Sequence, residues 1–234
     1  MLLNLILSLM SCDIAYDANT VSIDMQIRDI ASYNMGFEKS NKSAVLIEAY
    51  DKENVYRGQG SGNYFYSGSR KFIITAQHVV GEDGYAFVRE KNGERHFAEI
   101  IYTELSRDVA ILYVEDELSV TTPIHYSHTY PFNNTAKKVY FTSSPDGTPF
   151  VLGEGRIVKE GESYYFVQSL AWPGSSGAVA LDSRGNIIGV VTGVRIAYDS
   201  TIDSPRMVEN YVYISRIDFI SRWKIKSIFE DAGR

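Results

Sequence analysis

The chain has 234 residues, of which 44% are hydrophobic and 22% charged, so it carries enough apolar material for one large core or two small ones and is not a disordered or collagen-like polymer. A single cysteine excludes an intrachain disulfide framework and a four-thiolate zinc site. The formal net charge of −6, with no block of Lys or Arg, argues against a nucleic-acid binder, whose affinity rests on neutralising phosphates.

In chain order, Leu2 to Met10 form an apolar run followed by Asp13, Asp17 and Asp24. At about ten residues it is shorter than the roughly 20 that a membrane-spanning helix needs. It has the length of a signal-sequence core, and Leu9-Met10-Ser11-Cys12 resembles a bacterial lipoprotein box with Cys12 as the lipidation candidate. Met10 is bulky for that box, and no Lys or Arg precedes Arg28. An apolar leader packed on the domain is therefore preferred to export, with a cytoplasmic or virion-associated protein favoured over one of the cell envelope. Membrane contact is expected only through a lipid on Cys12. Residues 1–42 read as leader and extension outside the core.

From residue 43 the chain is β-patterned. Runs rich in Val, Ile, Tyr and Phe occur at 43–50, 54–66, 71–80, 85–90, 95–102 and 109–115, separated by Gly, Asn, Asp and Ser turn signals. A second set lies at 137–142, 150–160, 163–170, 178–182, 187–196 and 211–215. A polar, proline-bearing linker over about 116–136 separates six runs from six, which predicts two similar β units. Nothing alternates helix with strand, so a parallel α/β sheet is not expected. In the tail, Ser215 and Asp218 fit a capping box, and Ile217, Ile220 and Trp223 recur every three residues. This pattern predicts a helix over about 216–230 laid on the second unit. Residues 197–210 read as a solvated connection.

Three segments carry chemistry. Ile74-Thr75-Ala76-Gln77-His78-Val79-Val80 ends an apolar run with a histidine, the side chain whose ordinary pKa suits a general base near neutral pH. Ser106-Arg107-Asp108 precedes an apolar strand, and a carboxylate there could hold an imidazole in one tautomer. Trp172-Pro173-Gly174-Ser175-Ser176-Gly177 offers a serine with a glycine two residues earlier, so that the N–H groups of Gly174 and Ser176 could converge on an oxyanion. Taken singly, each has a plain structural reading as a core histidine, a turn aspartate or a hairpin loop.

Together, the order His, Asp, Ser and the stretches T-A-Q-H-V, D-V-A-I-L and G-S-S-G resemble the chymotrypsin-like serine peptidases. The pattern is most like the bacterial HtrA-type branch, and the resemblance covers roughly residues 43–230. It implies an all-β fold of two six-stranded antiparallel barrels with a C-terminal α-helix. The first barrel would take about 43–115, the linker about 116–136, the second barrel about 137–215 and the helix about 216–230. It further implies an endopeptidase working through an acyl-enzyme, with Ser176 as nucleophile, His78 as general acid–base and Asp108 as orienting carboxylate. Gly174 and Ser176 would form the oxyanion hole, no cofactor or metal would be needed, and the partner would be a protein or peptide.

Ser175 stands where zymogen-type members place the Asp that pairs with a newly cut N-terminus, so activity is expected not to depend on cutting before residue 43. With the sequence ending at 234, the PDZ module of HtrA relatives is not expected. By the same resemblance Leu170, Ala171, Thr192, Gly193 and Val194 would line the pocket for the side chain before the cut. With Leu170 where Arg/Lys-selecting members carry Asp, burying a cation there would be costly, and a small or medium apolar residue is expected. The competing reading is a catalytically idle binding or structural module on the same fold, such as a virion or envelope component. His125 and His128 form an H-x-x-H pair too sparse for a metal site.

Overall fold

The structure is a computed structural model that describes residues 35–127, 134–199 and 204–234, with side chains left aside over 195–210. The leader with Cys12, together with His128 and Asp203, lies outside the described residues. None of the described helices is long and apolar enough to cross a membrane.

The six early runs become strands β1 (Ala44–Asp51), β2 (Tyr56–Ser67), β3 (Arg70–Thr75), β4 (Gly84–Arg89), β5 (Arg95–Glu104) and β6 (Val109–Val114). They pair in the order β1-β4-β5-β6-β3-β2, and β2 returns to β1 to close an antiparallel barrel. From the linker, the two-residue β7 (Ile124–His125) adds parallel to β2. The later runs become β8 (Lys138–Ser143), β9 (Val151–Glu160), β10 (Tyr164–Ser169), β11 (Val179–Leu181), β12 (Ile187–Asp199) and β13 (Ser204–Arg216). These close a second barrel in the order β10-β13-β12-β11-β8-β9. Alternating apolar residues fill each interior: Val45, Ile47, Ile73 and Leu112 in the first, Val139, Ile157, Val167 and Ile214 in the second. Another cluster, holding Phe65, Ile111, Val179 and Val190, draws on both barrels.

Four expectations need correction. Residues 35–43 are helical (α1) and belong to the packed molecule: Ser40 is fully buried, its Oγ is 3.1 Å from Thr142 Oγ1, and Lys39 Nζ donates to Arg184 O. The run 71–80 is not one strand, since β3 stops at Thr75 and Gln77–Val80 form one helical turn, α2. Residues 197–199 and 204–210 are not a solvated connection but the ends of β12 and β13, paired from Ala197↔Arg206 to Asp199↔Ser204.

The C-terminal helix α3 covers Arg222–Asp231, with Ser221 as its cap, accepting from Lys224 N at 3.1 Å. Ser215 is instead buried in β13, and the Ile217–Ile220 stretch packs as a turn. The buried face of α3 is Ile225, Ile228 and Phe229, while Trp223 is 78% exposed. Phe229 meets Phe72 and Tyr113, so α3 leans on the first barrel rather than the second. The capping-box pattern pointed to Ser215; its burial in β13 excludes it, and the helix starts six residues later.

Candidate active site

β3 delivers His78. The strand is buried from Phe72 to Thr75, and the single turn of α2 ends at Gly81, where φ is +72°. Val80 anchors that turn in the first barrel's interior, leaving the His78 side chain 47% exposed.

Asp108 comes from the β5–β6 connection. A 3₁₀ turn over Leu105–Arg107, capped by the Glu104 carboxylate, ends at Asp108 in the left-handed region (φ 51°, ψ 53°). That conformation is uncommon for a residue with a side chain, though Asp tolerates it better than most. It turns the carboxylate to His78 at two points: Oδ1 accepts from the His78 backbone N–H at 2.8 Å, and Oδ2 lies 2.7 Å from Nδ1. Only 20% of the Asp108 side chain is exposed, so this contact is partly shielded from solvent. From β13, Ser215 Oγ donates to Arg107 O and ties the second barrel to this turn.

Ser176 lies in the loop between β10 and β11. Ser175 N–H donates to Trp172 O (2.9 Å), Ala178 N–H to Ser175 O (3.2 Å) and Gly177 N–H to Val191 O (2.8 Å), which folds the loop tightly onto β12. Gly177, at φ +89°, admits no side chain, because a Cβ would sit 2.1 Å from Ser61 O and 2.3 Å from Thr75 Oγ1. The loop thus lies directly on the end of β3, and the segments bearing His78 and Ser176 meet there. Gly174 also has positive φ, +94°, and a Cβ there would be 2.4 Å from Ser144 O. Among the described residues, neither Gly174 N–H nor Ser176 N–H donates to another protein group.

A family model for a trypsin-like peptidase domain matches residues 60–190, a span that holds His78, Asp108 and Ser176. The chain belongs to the trypsin-like peptidase family. This peptidase is a serine endopeptidase, and its substrates are proteins or peptides. Among solved structures, the serine endoprotease from Yersinia pestis matches with a TM-score of 0.64 at 17% identity, over 86% of this chain and 67% of that one; at this identity the likeness is one of fold. No curated protein matches the sequence.

The residues expected to line a substrate pocket divide. Leu170 and Ala171 border an open cavity of about 350 Å³ that is also lined by Phe141, Leu152, Trp172 and Ser175. Leu170 is 62% exposed, whereas Ala171 joins the second barrel's interior, against which Val194 packs. Thr192, Gly193 and Val194 are not part of the cavity wall. Glu154 reaches its rim but is solvent-exposed. His125 stands apart, exposed at the end of β7 with its ring edge-on to Tyr66.

Two buried polar residues beside the loop that bears Ser176 were not singled out from the sequence. Ser61 and Asn63 are buried on β2, where Asn63 Oδ1 accepts from Val179 N across the barrels at 2.9 Å. The available signal was polar residues at alternate positions of a strand whose next residue on the same face, Phe65, is core between the barrels.

Proposed function

We propose that Ser176 is the nucleophile of this endopeptidase, that His78 is its general acid–base and that Asp108 orients His78. The observation that carries the assignment is the two-point grip of Asp108 on His78. With Oδ2 accepting from Nδ1–H, the Nε2 lone pair is left to take the Ser176 proton, and the carboxylate stabilises the imidazolium that results. Ser176 Oγ then attacks the scissile carbonyl, and the oxyanion is met by the N–H groups of Gly174 and Ser176. Collapse expels the amine, which takes its proton from His78. Water, deprotonated in turn by His78, hydrolyses the acyl-enzyme.

The peptidase unit runs over about 43–230, braced by α1. Activity does not depend on cutting before residue 43. In support, the hydroxyl of Ser175 is buried and satisfied within its own barrel, 3.2 Å from Ser143 Oγ and accepting from Trp172 N–H at 3.3 Å. The residue before the cut is small or medium and apolar, a reading supported by the apolar wall of the cavity beside Leu170 and Ala171. A buried cation would find only the exposed, well-screened Glu154 there.

An activated ester tests the chemistry: the wild type should give a burst and an acyl adduct that maps to Ser176, and an adduct elsewhere would refute the assignment. A peptide library tests the preference, which cleavage after Arg or Lys would contradict.

A further inference from the structure

The peptide planes on both sides of Gly174 have their carbonyls tied down, and both ties lead to one side chain of the other barrel. Pro173 O accepts from Asp146 N–H at 2.7 Å, and Gly174 O accepts from Ser61 Oγ at 2.8 Å. The turn that supplies Asp146 starts at Ser144, whose N–H donates to the same Ser61 Oγ at 2.9 Å. The backbone of Ser61 completes the junction: its N–H donates to Ser176 O (2.7 Å) and its carbonyl accepts from Thr75 Oγ1 (2.7 Å). β2 pairs with β3 only from Asn63 onward, so at Ser61 that edge of β2 is free to take the nucleophile loop. Ser61 is 1% exposed and Ser144 is equally buried, so water does not substitute for these bonds.

In a trans peptide the C=O and N–H point in opposite directions. Fixing Pro173 O therefore fixes where Gly174 N–H points, and fixing Gly174 O stops the next plane from rotating. We propose that Ser61 is a positioning residue for the oxyanion hole. Its hydroxyl, accepting from Ser144 and donating to Gly174, clamps the 144–147 turn to the nucleophile loop so that Gly174 N–H stays aimed at the developing oxyanion. The inference rests on the roles proposed above for Gly174 and Ser176, and Ser61 acts only through them. Alanine at 61 would leave a buried carbonyl and a buried N–H without partners. A shift of the 144–147 turn relieves that, and with Asp146 moved the Pro173–Gly174 plane is free to rotate and turn the oxyanion donor away.

The test compares Ser61→Ala with the pair Ser61→Thr and Ser61→Val, which share a shape and differ in the hydroxyl, so a poorly folding alanine variant does not end the experiment. In the full chain, kcat and KM are measured separately on a peptide amide, and Ki is measured for a peptide aldehyde whose hemiacetal mimics the oxyanion. Hydrogen exchange is followed at the Gly174 amide. Loss of one oxyanion donor costs roughly 100- to 1,000-fold, and a mis-aimed donor part of that. Ser61→Ala should therefore lower kcat by about tenfold to a hundredfold with KM nearly unchanged, weaken the aldehyde by a similar factor and speed Gly174 exchange. Thr should restore all three and Val should not. Unchanged kcat, Ki and exchange in hydroxyl-free variants, with at most a lower melting temperature, would overturn the proposal. If Ser176→Ala retained full turnover, the catalytic assignment would fall, but exchange at Gly174 would still decide whether Ser61 holds that amide.

Discussion

Asp108 illustrates how much of this site hangs on single side chains. It occupies a left-handed backbone position and spends both carboxylate oxygens on one histidine, a local strain that its contacts with His78 offset. Asp108→Asn keeps the shape but lets the amide favour the wrong imidazole tautomer. Turnover of a peptide amide should fall by about a thousand- to ten-thousandfold with the fold intact, as circular dichroism would report. Loss of less than tenfold would mean that His78 is oriented by something else. Ser215 makes a different kind of contribution. It is fully buried, and its hydroxyl satisfies Arg107 O in the turn that presents Asp108. Ser215→Ala should destabilise the protein by about 1–3 kcal/mol in urea titration, the cost of an unsatisfied buried acceptor; a variant as stable as wild type would show that water reaches that carbonyl.

At the scale of elements, one carboxylate gathers the linker at Ser119–Thr121. Burial alone would raise the Glu90 carboxyl, but hydrogen bonds from the backbone N–H groups of Ser119, Val120 and Thr121 pull it down to about 2 from 4.5. Because the folded pKa is depressed, the stabilisation is fully present above about pH 4.5 and is lost as pH falls from there to about 2. A shift of this size corresponds to about 3 kcal/mol. Glu90→Gln should lower stability at neutral pH and flatten the acid limb of a stability–pH curve; an unchanged acid limb would contradict the role. Helix α3 is held by packing, so Phe229→Ala should cost about 3–5 kcal/mol, whereas Trp223→Ala should stay within about 0.5 kcal/mol. Equal effects at the two positions would restore the stripe expected from the sequence. The strands themselves were legible, because runs such as Val109-Ala110-Ile111-Leu112 are short, continuously apolar and bounded by turn chemistry. The caps were not. Ser215 has the better local capping pattern, yet its contact with Arg107, far away in the chain, holds it in β13 and leaves Ser221 to cap.

Across the whole molecule, the double barrel brings together segments that have no local reason to be near one another. The candidate residues at 78, 108 and 176 stood out in the sequence because the proposed chemistry restricts the side chains that can serve it. The joint between the barrels was not, since Ser61 and Asn63 look like ordinary strand residues until Gly174, Ser176 and Val179 are packed against them. The same holds for α1, whose docking depends on Thr142 and Arg184 more than a hundred residues away. The central claim is that this packing yields a serine activated by His78. Labelling with a fluorophosphonate, read by intact mass on the wild type, Ser176→Ala and His78→Ala, tests it most directly. The account predicts one adduct on the wild type and none on either variant. An adduct that survives Ser176→Ala, or no adduct on the folded wild type, would contradict it.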